Sequence, residues 1–156
     1  MRIRILSITH KSPSWIQEGY QDYRKRFPPG FSVELIEIPA EKRTASMDIA
    51  RLRQREGEKL LALIPPHNRV IALEVKGESW STEKLAQQLA LWQEDGRHVD
   101  FLVGGPDGLS DTCLRRAEKK WSLSPLTFPH LFVRLIMVEQ LYRAWSLLAG
   151  HPYHRG

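Results

Sequence analysis

Cysteine is nearly absent. Cys113 stands alone, so no disulfide can close within the chain, and a reducing cytoplasmic setting is expected. No Cys/His cluster has zinc spacing, and no metal is expected. No apolar run approaches the ~20 residues that span a bilayer. The opening Met1-Arg2-Ile3-Arg4-Ile5 alternates charge with apolar side chains, unlike a secretion signal. Repeats, low-complexity tracts and linkers are missing, so residues 1–156 read as one domain. Also missing are GxGxxG, GxxxxGK[ST] and a nucleophile elbow, which argues against a dinucleotide fold, a P-loop and a serine hydrolase.

What is present is an ordinary globular mixture, 42% hydrophobic and 26% charged, long enough to bury a core without staples. The net charge is +5 and unevenly spread. Residues 1–30 and 111–156 are each basic, and residues 31–110 are mildly acidic. If the two ends meet in space they form one positive face suited to a polyanion. Solubility alone is the plainer explanation.

Hydrophobic periodicity predicts alternating strands and helices. Strands are expected at Arg2–Ile8, Phe31–Ile38, Val70–Val75, Val99–Val103 and, extended rather than regular, Trp121–Leu126. Helices are expected from Ser12-Pro13 to about Phe27, from Ser46 to about Leu63, over Thr82–Asp95, after Ser110, and from Pro129 to about Leu148. Gly77–Ser81 reads as a loop. This order implies an α/β fold, a mostly parallel sheet with helices on both faces. Ligands then belong at the carboxyl ends of the strands, in the loops after Val75, Val103 and Leu126.

Two of those loops are unusual. Gly104-Gly105-Pro106-Asp107-Gly108 packs three glycines behind a buried-type strand, which lets backbone approach a ligand closely; a tight βα turn explains it as well. Leu123-Ser124-Pro125-Leu126-Thr127-Phe128-Pro129-His130 could form a rigid apolar slot for a flat ligand. His130 falls in the first helical turn, where the dipole disfavours imidazolium and favours a neutral ring. Asp107 and Asp111 read as turn and helix-start residues, and Cys113 as a packed thiol. Arg134 or Arg143 could hold phosphate at a site mouth. The tail His151-Pro152-Tyr153-His154-Arg155 is dense in groups that stack on bases and bind phosphate, although termini often fray.

Taken together, Phe101–Leu109, Trp121–Ser124, Thr127–His130, Val138–Ala144 and Pro152–Arg155, with Glu34–Pro39 and the basic stretch Arg24-Lys25-Arg26, resemble one family over essentially the whole chain. It is the bacterial large-subunit rRNA pseudouridine N3-methyltransferases of the SPOUT superfamily. The resemblance implies a C-terminal trefoil knot, a homodimer joined through the knot region, and S-adenosylmethionine bound in the knot. Carried over, the cofactor contacts are Leu73, Gly104, Gly105, Leu123, Ser124, Pro125, Leu126, Thr127 and Phe128. The implied substrate is a pseudouridine in 23S rRNA, within the large subunit or the assembled ribosome, and Arg24, Lys25, Arg26, Arg134 and Arg143 are the expected RNA contacts.

Ring nitrogen N3 carries a proton and is a poor nucleophile until it leaves. His130 is the first candidate to accept it, with Tyr153 and His154 next. Arg155 or Arg143 would steady the developing anion. A non-catalytic ribosome-binding or assembly factor on the same fold would share the basic ends and the aromatic tail, but would bind no methyl donor.

Overall fold

The computed structural model describes residues 1–44 and 46–155. Five strands form one parallel sheet: β1 (Arg2–Thr9), β2 (Ser32–Pro39), β3 (Arg69–Ser79), β4 (Val99–Val103) and β5 (Lys119–Ser122), in the spatial order β2-β1-β4-β3-β5. Five helices alternate with them: α1 (Ser14–Arg24), α2 (Ile49–Ala62), α3 (Thr82–Asp95), α4 (Asp111–Arg116) and α5 (His130–Ala149); a 3-10 turn, Pro152–Arg155, follows. The α/β class expected from the alternation is therefore what the chain adopts.

Both faces of the sheet are covered, which is why β1 and β4 are almost wholly buried. Side chains alternate along β1. Ile3 and Ile5 join a core with Tyr20, Leu89, Trp92 and Leu141 from α1, α3 and α5. Leu6 and Ile8 face the other way, toward Leu60 of α2 and Cys113 of α4. Arg4 shares that second face and is buried, forked onto the Asp100 carboxylate at 2.7 and 2.8 Å. One of the N-terminal cations thus contributes nothing to a surface field.

Several boundaries depart from expectation. Ser12 caps no helix: α1 begins at Ser14, and the Ser12 hydroxyl is drawn instead to Glu37 and Arg134. The same helix stops at Arg24 rather than Phe27, whose ring turns to stack on Phe31 at 5.2 Å. The charged helix starts later, at Ile49, because the Asp48 carboxylate caps it through the Ala50 N–H. β3 runs on to Ser79, where a loop was expected, and β5 ends at Ser122 rather than Leu126.

The extension of β3 is irregular. Leu73 and Glu78 both pair with Trp121, so residues 74–77 bulge out of the ladder. A Cβ on Gly77 would stand 2.7 Å from the Lys120 carbonyl, so glycine is required for the two strands to rejoin. No helix among the described residues is long and apolar enough to cross a membrane.

Candidate active site

At the carboxyl ends of β3 and β4 lies an open cavity of about 240 Å³. One wall is the bulge, Leu73, Glu74 and Val75; another is Val103, Gly104 and Gly108; the segment after β5 closes it with Leu123, Ser124, Leu126, Thr127 and Phe128. Trp121, Ser122 and Val133 complete the lining. The structure brings together Leu73, Gly104 and five of the six residues from Leu123 to Phe128. Gly105 and Pro125 lie outside the lining. Gly105 instead packs against β1, where a Cβ would meet Ile8 Cγ2 at 2.9 Å.

The glycine turn after β4 is compact. Gly105 and Gly108 form an isolated antiparallel bridge, and the Gly108 N–H donates to the Gly105 carbonyl at 3.1 Å. A Cβ on Gly104 would stand 2.5 Å from the Gly108 carbonyl carbon. Only glycine lets the turn close this tightly beside the cavity.

Glu74, Val75, Ser122 and Val133 were not foreseen. Val75 is 83% exposed and Leu126 71%, so apolar side chains flank an open mouth. Gly77, just past the predicted strand Val70–Val75, reads as the start of a loop; taken as a glycine interrupting a longer strand, it is the sequence signal that could have found the bulge.

His130 begins α5 one strand away from the cavity. Its Nε2 lies 2.7 Å from the Ile8 carbonyl oxygen at the end of β1. A carbonyl can only accept, so Nε2 carries the proton and the neutral ring presents Nδ1 as an acceptor. Burial is the largest influence on this imidazole and lowers its pKa below the ordinary histidine value; the Arg134 and His10 charges push the same way. The segment 123–129 therefore travels from the β5 edge past the ends of β3 and β4 to β1.

Arg134, one turn further along α5, is not available to RNA. It is 1% exposed. Nη1 donates to Glu37 at 2.7 Å and contacts the Ser12 hydroxyl, while Nη2 donates to Thr9 Oγ1 at 2.6 Å. These bonds tie α5 to the carboxyl ends of β1 and β2. A larger polar groove of about 570 Å³ runs from Arg134 along α1 and β2, with Arg24, Glu34 and Glu37 in its walls. It lacks the glycine turn and the strand-end apolar walls, and the smaller cavity is the better ligand site.

The remaining candidates gather further along α5, around Glu139, Tyr142 and Arg143. Arg143 donates to Glu139 at 2.9 Å and covers the Tyr153 ring at 4.9 Å. Arg26 covers the Tyr23 ring at 4.5 Å and pairs with Asp22. Tyr153 Oη lies 2.9 Å from Tyr23 Oη and 3.1 Å from Glu139 Oε1. The two basic ends of the chain do meet. Burial, with help from Tyr23 and Glu139, pushes the Tyr153 phenol far up, which keeps its O–H as a donor toward Tyr23 or Glu139. Lys25 and Arg155 are exposed, and Arg24 turns its Nε to the Val33 carbonyl at 3.2 Å. His154 Nδ1 is buried with no partner among the described residues. Arg143 lies thirteen positions beyond His130 on one helix, a separation of about 20 Å at 1.5 Å per residue.

Five parallel strands, a glycine turn and an apolar strand-end cavity are thus assembled by one chain, and they agree with a comparison against known families. The family model described as "Predicted SPOUT methyltransferase" matches residues 1–154. That match covers nearly the whole chain, and the protein belongs to the SPOUT methyltransferase family.

Proposed function

We propose that this protein transfers the methyl group of S-adenosylmethionine to N3 of a pseudouridine in 23S rRNA, and that it does so as a homodimer. The observation that carries the reading is the cavity at the ends of β3 and β4. Its chemistry suits the donor. Leu73, Val103, Leu126 and Phe128 offer apolar walls to a flat adenine, Ser122, Ser124 and Thr127 offer hydroxyls, and Glu74 places a carboxylate beside a cationic ligand. A methyl group activated by a positively charged sulfur is what the bound donor supplies. The crossing of segment 123–129 over the strand ends supports the trefoil knot that the resemblance implies.

The chain's own residues supply the rest. His130, held neutral with its proton on Nε2, accepts the N3 proton at Nδ1. Arg155 or Arg143 steadies the negative charge that develops on the ring. Arg26, Arg143 and the tyrosines beside them offer cations to phosphate and ring faces to bases.

The dimer reading is supported by where the tail and an exposed aromatic face lie. In one chain the cavity meets α5 at Val133, while the basic aromatic tail packs further along that helix on Glu139, Tyr142 and Arg143 and lines no part of the cavity. Trp15 and Phe132, in contact at 5.4 Å between ring centroids, are exposed beside the start of α5. A second subunit covering that face would bring its own tail to this cavity, with 23S rRNA in the large subunit or assembled ribosome bound between them.

Mass mapping of rRNA from cells with and without the gene tests the assignment, and one methyl group on one pseudouridine should disappear. An unchanged map, together with no calorimetric signal from S-adenosylmethionine, would leave the non-catalytic ribosome-binding reading.

A further inference from the structure

We infer that Arg43 is a positioning residue for the donor: it holds the Gly104–Gly108 turn in its binding shape by bridging Asp107 in that turn to the buried Glu56 of α2. The inference rests on the methyl-donor reading of the cavity and adds a residue outside it.

Arg43 commits four of its five guanidinium N–H donors. Nη1 and Nη2 fork onto the Glu56 carboxylate at 2.7 and 3.0 Å, and Nε donates to Asp107 Oδ2 at 2.8 Å. Nη1 also donates to the Glu41 carbonyl at 2.7 Å. Glu56 is 2% exposed, and the Glu41 N–H also donates to it, at 2.9 Å. A carboxylate this buried is held in one place by its partners, so Arg43 is a fixed post rather than a mobile surface cation.

The turn it grips needs such a post. With glycine at 104, 105 and 108, its backbone has a large freedom to lose on ordering. Pro106 has no side-chain hydrogen bond to give, so Asp107 is the only side chain by which the turn can be tied polar-to-polar. Gly104 and Gly108, on either side of Asp107, line the cavity. The side chain pointing away from the ligand therefore anchors the backbone facing it, and a ligand binding a pre-ordered turn avoids the entropy of ordering it. The Asp107–Arg43–Glu56 chain also connects the turn to the loop after β2, across 64 and 13 positions of sequence.

Asp107→Asn tests this cleanly, because it removes one charge and leaves the buried Arg43–Glu56 pair intact. Calorimetry with S-adenosylmethionine on the full-length protein should show donor Kd weakened about tenfold, or 1.4 kcal/mol. In turnover, KM for the donor should rise while kcat and KM for RNA stay unchanged. Arg43→Lys, which keeps the charge but loses the fork, should weaken donor binding similarly, and the double variant no more than either single one. Donor affinity equal to wild type in Asp107→Asn overturns the inference, as does a double variant that loses the product of both effects. A wild-type protein that binds no donor overturns the reading beneath it, a result distinct from a wild type that binds and variants that bind equally well.

Discussion

His130 and Ile8, 122 positions apart, are joined by a 2.7 Å hydrogen bond that ties the first residue of α5 to the end of β1. The bond sets the tautomer, and burial sets the charge. The single-turnover rate of methyl transfer should therefore rise with pH along one ionisation, with its midpoint below the ordinary histidine value of 6.5. His130→Ala should lower that rate about 10²–10⁴-fold with donor Kd unchanged. An unaltered single-turnover rate removes His130 from the mechanism. Stability has the matching sign. A depressed folded-state pKa means the unfolded chain binds more protons, so this contribution is present above pH 6.5 and fades as pH falls through the folded value.

Gly104→Ala forces a Cβ against the Gly108 backbone at 2.5 Å, and the turn has to open. The expected cost is about 1–3 kcal/mol of stability, as for other overpacked sites. Loss of donor binding should exceed that share, since the displaced backbone lines the cavity. Chemical denaturation beside calorimetry separates the two effects.

Arg26 and Arg143 lie on the tyrosine cluster where the two basic ends of the chain converge. Binding to ribosomal RNA should weaken steeply with salt. Alanine at either position should reduce the slope of log K against log salt by about one. Filter binding at several salt concentrations reads this directly; an affinity that barely moves between low and moderate salt removes the basic-face argument.

Arg134→Met should act on folding and not on RNA. It removes three contacts at a site 1% exposed and leaves Glu37, Ser12 and Thr9 short of a partner. Glu37 is partly solvated, so the cost is on the order of 2–3 kcal/mol rather than the full penalty of a buried pair. The Tm should fall by about 4–12 °C, while the salt slope of RNA binding stays where it was.

The outline of the fold was legible because its signals are local. Val99–Val103 and Thr82–Asp95 were each read to the residue, and the last helix ends within a residue of the expected Leu148. Ser12 failed as a cap because a buried arginine from 122 positions away competes for its hydroxyl. Arg134 failed as an RNA contact for the same reason: a cation on a largely apolar helix looks alike in sequence whether solvent or Glu37 receives it. The cavity wall at Glu74 and Val75 was missed because a bulge is a property of two strands, and periodicity reads one at a time.

Composition, alternation and turn chemistry by themselves determined an α/β chain, basic at both ends, with its unusual loops at the carboxyl ends of strands. Each of these depends on residues a few positions apart, and short-range preferences act before any tertiary contact exists. Tertiary structure alone decided that Arg134 is buried, that Arg43 reaches across to Asp107, and that the tail folds back onto Glu139 and Tyr23. Those outcomes turn on which distant group satisfies a buried charge, and only the closed packing of the chain settles that competition.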